Sequence, residues 1–156
     1  VESSGPVDRV QRADARELID NWTNDSDYYR TAAGLGAHQH DFETAALLWP
    51  YKAMNRKLYR GLSFEKSEDF EAFKKTTGLK KIKDEFWSSW TPDLEQARAF
   101  AMLDDEYGKS GTGIVIAVKG IPGGINARRA IEDANNEVIL PPGDYDFTVI
   151  EQGEIK

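Results

Sequence analysis

Residues 135–143 of this 156-residue chain read Asn-Asn-Glu-Val-Ile-Leu-Pro-Pro-Gly. The apolar triplet after Glu137 predicts a short buried strand, and the Pro-Pro-Gly turn ends it. If Glu137 points inward, its burial without a partner would cost several kcal/mol. The alternative is that Glu137 lies at the strand end in water, where its charge needs no explanation. Glu137 is therefore the first candidate for a functional side chain.

Further strands and two helices are predicted around this stretch. The apolar and alternating patterns predict strands over residues 57–64, 85–90, 114–118, 137–140 and 145–151. Ser67 is expected to cap a helix that stops before Gly78. Thr91 is expected to cap another helix, with Pro92 in its first position and its end near Tyr107. The positions of that second helix expected to face inward are Leu94, Ala97, Phe100, Ala101 and Leu103.

Helices are predicted in the first third of the chain. Asp8 can cap a helix over residues 8–20, and residues 24–27 are typical of a turn. A second helix is predicted over residues 41–49, with Pro50 ending or kinking it. Helices thus dominate the first half and strands the second. This order favours an α+β fold with mostly antiparallel sheets over alternating βαβ units.

Length, charge and residue types narrow the class of protein. The length favours one domain with a sizeable core. A net charge of −7 argues against a general nucleic-acid or membrane-surface binder, which would carry a basic footprint. The absence of cysteine excludes disulfides, thiolate zinc sites and a cysteine nucleophile. No apolar run approaches the ~20 residues of a membrane-spanning helix.

Two more motifs carry side chains suited to a ligand. Arg60 lies in a predicted strand, and an arginine binds phosphate oxygens through its planar fork. Gly61 beside it would let a ligand approach the backbone closely. Ser89 lies in Trp-Ser-Ser-Trp-Thr at residues 87–91, a small hydroxyl between large aromatics. Taken singly, Arg60 is as well explained by pairing with a surface carboxylate, and Ser89 by an ordinary strand end.

The order of Arg60, Ser89 and Glu137, each in its own context, is far more specific than any one of them. In these three motifs the chain resembles the mono-ADP-ribosyltransferases of the Arg-Ser-Glu class. Leu-Tyr-Arg-Gly at residues 58–61 is similar to the first motif of that family. The apolar triplet and proline turn after Glu137 are similar to the third.

The second motif of the family is an aromatic residue, any residue, then Ser-Thr-Ser. Residues 87–91 resemble it with Ser89 in the first serine position. Trp90 stands in place of the central Thr, and Thr91 in place of the last Ser. The resemblance covers roughly residues 50–150.

The resemblance implies that NAD is the substrate, bound without a Rossmann unit and without a metal. Arg60 would hold the phosphates, and Gly61 would offer backbone hydrogen bonds to the nicotinamide amide. Ser89 would orient Glu137. Glu137 would bind the ribose hydroxyl and stabilise the charge that develops at the anomeric carbon.

The same resemblance implies an ADP-ribosyltransferase-like fold, with two packed, mostly antiparallel sheets around the NAD cleft. We expect a single domain over residues 1–156. Residues 1–49 would form a mainly helical lead-in, and residues 50–156 the catalytic core.

The acceptor of the ADP-ribose is expected to be a macromolecule, and a protein is favoured. Residues 121–136, with Arg128 and Arg129, would form a mobile loop facing it. Members of the family commonly carry Gln or Glu two residues before the catalytic glutamate, and Asn135 occupies that position here. Its amide can still orient an acceptor, but on a shorter arm.

Two other functions fit the same residues. A NAD glycohydrolase would use the site with water as the acceptor, and a non-catalytic module would keep the scaffold for binding a protein. We expect a monomer that binds neither membranes nor nucleic acids in general. The preferred setting is the bacterial cytoplasm, with the chain acting as a toxin-like effector of bacterial or phage origin.

Three weaker patterns are assigned to ordinary structure. Residues 34–39 begin like a dinucleotide fingerprint but end in Gln39, where Gly or Ala is needed, so a loop is predicted. His38, His40 and Asp41 lack the spacing of a metal site and are assigned to the same polar loop. The lysine-rich residues 74–83 are assigned to a solvated face.

Overall fold

The computed structural model of this chain describes residues 8–102, 112–132 and 136–153. The helices are α1 (Arg9–Asn24), α2 (Ala32–Leu48), α3 (Ser67–Thr77), α4 (Leu94–Ala101) and α5 (Ala127–Ala130). The strands are β1 (Lys57–Phe64), β2 (Lys81–Asp84), β3 (Ser88–Trp90), β4 (Thr112–Lys119), β5 (Ile125–Asn126), β6 (Val138–Leu140), β7 (Gly143–Asp146) and β8 (Thr148–Gly153). A short 3-10 turn over Tyr28–Arg30 joins α1 to α2.

The strand pairs within the described ranges are all antiparallel, which confirms the predicted α+β class with antiparallel sheets. Hydrogen bonds divide the described strands into three sheets, where two were expected, ordered β1-β4-β8, β2-β7 and β3-β6-β5. The strand β4 is the centre of the first sheet and is buried over residues 113–118. An isolated bridge between Tyr59 and Thr91 joins the first sheet to the third.

The first helix runs four residues further than predicted. Asp8 caps it as expected: the side chain accepts from the backbone N–H of Gln11, and the Gln11 side chain accepts from the backbone N–H of Asp8. The helix continues past residue 20 because its apolar stripe continues. The buried members of that stripe are Ala15, Leu18, Ile19 and Trp22. Along the described residues, no helix combines the length and the apolar character that a membrane span needs.

The second helix begins at Ala32, nine residues before its predicted start. The prediction of a loop at residues 34–39 is therefore wrong. Thr31 caps the helix by accepting from the backbone N–H of Gly34 at 3.0 Å. Gly34 packs against the preceding turn, where an added Cβ would lie 2.1 Å from the Tyr28 carbonyl oxygen. This glycine serves close packing rather than a nucleotide.

In the second half, β1 has its predicted bounds, whereas α4 starts later than predicted. Thr91 is extended in its bridge with Tyr59, so Asp93 caps α4 instead, by accepting from two backbone N–H groups in its first turn. Phe100, predicted to face inward, is 65% exposed. The predicted positions Leu103 and Tyr107 lie outside the described residues.

Other strands also differ from the predictions. The strand β2 was not predicted, because its lysines are typical of a solvated face. The predicted strand over 85–90 forms only at Ser88–Trp90. The predicted strand over 145–151 splits at Phe147, because β7 pairs with β2 whereas β8 pairs with β4. The backbone N–H of Phe147 donates to the Lys80 carbonyl at that break.

The third helix begins without the predicted serine cap. Lys66 occupies the cap position, and Ser67 is the first helical residue. The end is as predicted, because Gly78 adopts the left-handed conformation with φ 61°.

We predict that Gly61→Ala destabilises the fold, because Gly61 is where α4 crosses β1. An added Cβ would lie 1.8 Å from the Ala97 carbonyl oxygen and 2.8 Å from the Ala101 backbone nitrogen. These are backbone atoms, so α4 itself must shift, at a cost of roughly 1–3 kcal/mol. The matched control is Gly36→Ala in α2, where an added Cβ meets nothing within 4 Å. That change should stabilise the helix by roughly 0.5–1 kcal/mol. Urea unfolding measures both, and equal stabilities would contradict the packing argument.

Candidate active site

Four of the predicted site residues line one cavity of about 370 Å³. They are Arg60, Gly61, Ser89 and Glu137. The cavity lies beside the Tyr59–Thr91 bridge, where β1 and β3 meet, and residues 22–26 at the end of α1 form another part of its wall. Small-molecule sites commonly occupy about 300–1,000 Å³, so the cavity can hold part or all of a nucleotide.

Ser89 and Glu137 meet because β3 and β6 are neighbouring strands. Ser89 pairs with Ile139, and Glu137 directly precedes β6. The Ser89 hydroxyl donates to Oε2 of Glu137 at 2.6 Å. This length is typical of a hydroxyl bound to a carboxylate. The two side chains that the resemblance pairs are therefore in direct contact.

A tryptophan that the sequence analysis missed contacts both of them. Nε1 of Trp22 lies 2.6 Å from Oε2 of Glu137 and 2.9 Å from Oγ of Ser89. An indole has a single N–H, so the two oxygens share one hydrogen. Trp22 is 2% exposed, and its ring packs edge-on against Phe42 and tilted against Tyr29. The donor is therefore held by the packing of α1 against α2.

Trp22 was missed because α1 was expected to end at residue 20. The helical spacing of Leu18 and Ile19 continues to Trp22, and following it one turn further would have placed Trp22 on the buried face. No sequence pattern signals the contact with Glu137, which is 115 residues away.

The two donors leave one oxygen of the carboxylate free. Both Ser89 and Trp22 contact Oε2 of Glu137. Oε1 has no hydrogen-bond partner among the residues that the structure describes. Because Glu137 lines the cavity and is half-buried, Oε1 is the acceptor that it offers to a ligand there.

Gly61 presents its backbone to the same cavity. Tyr59 uses both its N–H and its C=O in hydrogen bonds to Thr91, at 2.7 and 2.9 Å. In an antiparallel ladder, the hydrogen-bonding edge alternates from residue to residue. Gly61, two residues on, therefore directs its N–H and C=O to the edge of β1 that faces away from β4, beyond the bridge. A ligand amide in the cavity can bond to this backbone.

The side chain of Arg60 points to the face of β1 opposite the one that α4 crosses at Gly61. A buried carboxylate holds it there. Its Nη1 donates to Oδ2 of Asp84 at 3.1 Å, and its guanidinium lies 5.7 Å from the centre of the Trp90 ring. Nη2 of Arg30 binds the other oxygen of Asp84 at 3.2 Å. Burial and the charge of Arg30 lower the pKa of Arg60, and Asp84 opposes both effects. An arginine stays charged in any case, so Arg60 brings a fixed cation to the cavity.

Asp84 is the second residue that the sequence analysis missed. It ends β2, is 8% exposed, and also accepts from the backbone N–H of Phe86. Arg60 was expected either to bind phosphate or to pair with a surface carboxylate. The pairing exists, but with a buried carboxylate, and the other donors of the Arg60 guanidinium have no partner within the described ranges. Asp84 therefore orients Arg60 and leaves the other N–H groups of the guanidinium available to a ligand.

The predicted acceptor loop is partly regular structure. Within residues 121–136, β5 pairs with β6 and is followed by α5, so these parts are not a loop. Arg128 on α5 donates to the side chain of Asn136 at 3.0 Å. Asn135 lies outside the described residues.

Residues that could bind a metal are not grouped within the described ranges. His38 and Asp41 are 3.3 Å apart within α2, in a helix rather than the predicted polar loop. Across the described part of the chain, no group of three or more His, Cys, Asp or Glu is placed to hold a metal ion.

Comparison with known proteins gives one distant structural likeness. No family model matches the sequence, and no curated protein matches it. The crystal structure of the ADP-ribosyltransferase Vis in complex with an inhibitor is 16% identical, with a TM-score of 0.48. The alignment covers 93% of this chain and 68% of that one. At this identity and TM-score, the likeness supports no conclusion about activity.

Proposed function

We propose that this chain cleaves the bond between nicotinamide and ribose in NAD and transfers ADP-ribose to a protein acceptor. The observation that carries the proposal is the Ser89–Glu137 hydrogen bond of 2.6 Å in a cavity that Arg60 and Gly61 also line. These are the residues that the three sequence motifs single out. They come from separate parts of the chain and converge on one space of suitable size.

In the proposed reaction NAD is bound by a charged side chain and by backbone hydrogen bonds. The fixed cation of Arg60 binds the phosphates of NAD, and arginine is suited to this because its planar fork matches phosphate oxygens. The backbone of Gly61 bonds to the nicotinamide amide. Oε1 of Glu137 accepts from a hydroxyl of the nicotinamide ribose, while Oε2 stays bound to Ser89 and Trp22.

Bond cleavage then follows from charge stabilisation. The C–N bond breaks, and its electron pair leaves with the nicotinamide, which becomes neutral. The ribose becomes an oxocarbenium-like cation, as in glycoside cleavage. The carboxylate of Glu137, already oriented by two donors, stabilises this cation without reorganising. A nucleophile of the acceptor adds to the anomeric carbon and loses its proton.

The test is incubation with NAD labelled in its adenylate half. Nicotinamide release together with labelled protein supports transfer, and mass spectrometry then identifies the modified residue. Nicotinamide release with free ADP-ribose and no labelled macromolecule would identify a NAD glycohydrolase instead. Absence of nicotinamide release with every protein fraction tried would contradict catalysis and favour a binding module.

We predict that Arg60→Ala weakens NAD binding about 10–100-fold, because a hydrogen bond to a charged group contributes roughly 1.5–3 kcal/mol. Isothermal titration calorimetry with NAD measures the change. Arg30→Ala is the matched control: it removes the other arginine from Asp84, but Arg30 is not in the cavity wall. If the two variants bind NAD equally well, Arg60 does not hold the phosphates.

A further inference from the structure

A second cavity lies on the other side of the segment that carries Glu137. It has a volume of about 730 Å³ and is lined in part by Pro92, Asn136 and Val138. These residues directly adjoin Thr91 and Glu137, which line the first cavity. The lining alternates along residues 136–138: Asn136 and Val138 line the second cavity, and Glu137 between them lines the first.

The second cavity is basic in a chain whose net charge is −7. Among the residues that the structure describes, its charged lining consists of three arginines, Arg56, Arg128 and Arg129, and one acid, Glu132. All four are exposed. Within the described residues, neither Arg56 nor Arg129 has a side-chain hydrogen bond or an ion pair. Their charges are therefore available to a partner.

The geometry points to this basic cavity as the docking site for an acidic segment of the protein acceptor. This inference rests on the proposed function, since it supplies the acceptor side of that reaction. Arginine forks bind carboxylates in pairs of hydrogen bonds, so a run of Asp or Glu is the matching chemistry. A partner held there lies beside the Asn136–Glu137 segment, where the ADP-ribose would be released.

The charge of the rest of the chain favours a protein segment over nucleic acid. A nucleic-acid strand carries charge along its whole length and binds through an extended basic surface. Here the described lining groups three arginines, and the overall charge of −7 would repel the strand on either side of them. An acidic segment of a folded protein can be short enough to contact the arginines alone.

The test is fluorescence anisotropy with a labelled short glutamate homopolymer. We expect binding that weakens as salt rises, because the screening length falls from about 10 Å at 0.1 M to about 3 Å at 1 M. The double variant Arg56→Glu with Arg129→Glu should bind the peptide about ten-fold more weakly, since two attractions between exposed charges are replaced by two repulsions. The control is Lys75→Glu with Lys80→Glu, which reverses two exposed charges at α3 and the turn that follows it.

Three results would overturn the inference. They are absence of binding by the unaltered protein, an equal loss in the lysine control, and tighter binding of a thymidine oligonucleotide of the same length. Circular dichroism checks that the variants fold. Nicotinamide release from NAD is measured separately on the unaltered protein, without peptide. Failure of that release contradicts the proposed function, whereas failure of peptide binding contradicts only the docking site.

Discussion

Glu137→Gln should remove nicotinamide release and ADP-ribose transfer while leaving the fold and NAD binding largely intact. The amide is close to isosteric with the carboxylate, and its oxygen can still accept from Ser89 and Trp22. What the substitution removes is the negative charge that faces the developing oxocarbenium ion. Losing one such preorganised group costs about 10²–10³ in rate. We expect a fall in kcat of at least this size and a small change in the dissociation constant of NAD.

The measurement is nicotinamide release under single-turnover conditions, paired with calorimetric titration of NAD. Glu43→Gln is the matched control, because Glu43 is an exposed glutamate on α2 whose side chain accepts only from Gln39 among the described residues. It should leave kcat unchanged. Full activity of Glu137→Gln would exclude Glu137 from the chemistry. A large loss of NAD affinity instead of rate would make Glu137 a binding residue only.

The sequence predicted the strands of the site better than the contacts between them. The buried triplet of β6 follows from an apolar run that ends at proline, and β1 follows from the alternation of Leu58, Leu62 and Phe64 with more polar positions. Local patterns of this kind indicate whether one face or both faces of a strand are buried. The resemblance to a known family indicated which residues belong to one site. Four of them line one cavity in the structure.

The parts that could not be predicted depend on neighbours distant in sequence. Asp84 lies in a lysine-rich strand, and it is positioned to pair with Arg60 only when β2 pairs with β7. The sequence around Thr91 is typical of a helix cap, but the backbone N–H and C=O of Thr91 are hydrogen-bonded to Tyr59. Both are cases in which a tertiary contact overrides a local preference. Trp22 is different, because its burial could be predicted, although its partner could not.

Trp22→Phe should lower kcat about 10–100-fold with little change in the KM for NAD. The phenyl ring keeps most of the packing against Phe42 and Tyr29 but has no N–H. A hydrogen bond to a charged group contributes roughly 1.5–3 kcal/mol, which sets the expected range. Trp22 is a positioning residue here, because it acts on the reaction through the carboxylate of Glu137.

The matched control is Trp87→Phe. Trp87 is buried to the same degree as Trp22, stacks on the same Phe42, and donates its N–H to Gln39 rather than to the site. Both variants should lose similar thermal stability, since each removes a buried indole from the same cluster of buried side chains. Only Trp22→Phe should lose rate. A fall in kcat of equal size in both variants would mean that the cluster supports the site in general and that the Trp22 hydrogen bond has no special part.

A double-mutant cycle separates positioning from general support more directly. If the Trp22 N–H acts by orienting the carboxylate of Glu137, removing it from Glu137→Gln should cost little further rate. The charge that it orients is then already gone, and the effects of two residues in one hydrogen-bond network do not add. If Trp22 only packs the core, its loss should lower the residual rate of Glu137→Gln by the same factor as in the unaltered protein. Additive effects would therefore assign Trp22 to the core, and strong non-additivity would make the helical lead-in a working part of the catalytic site.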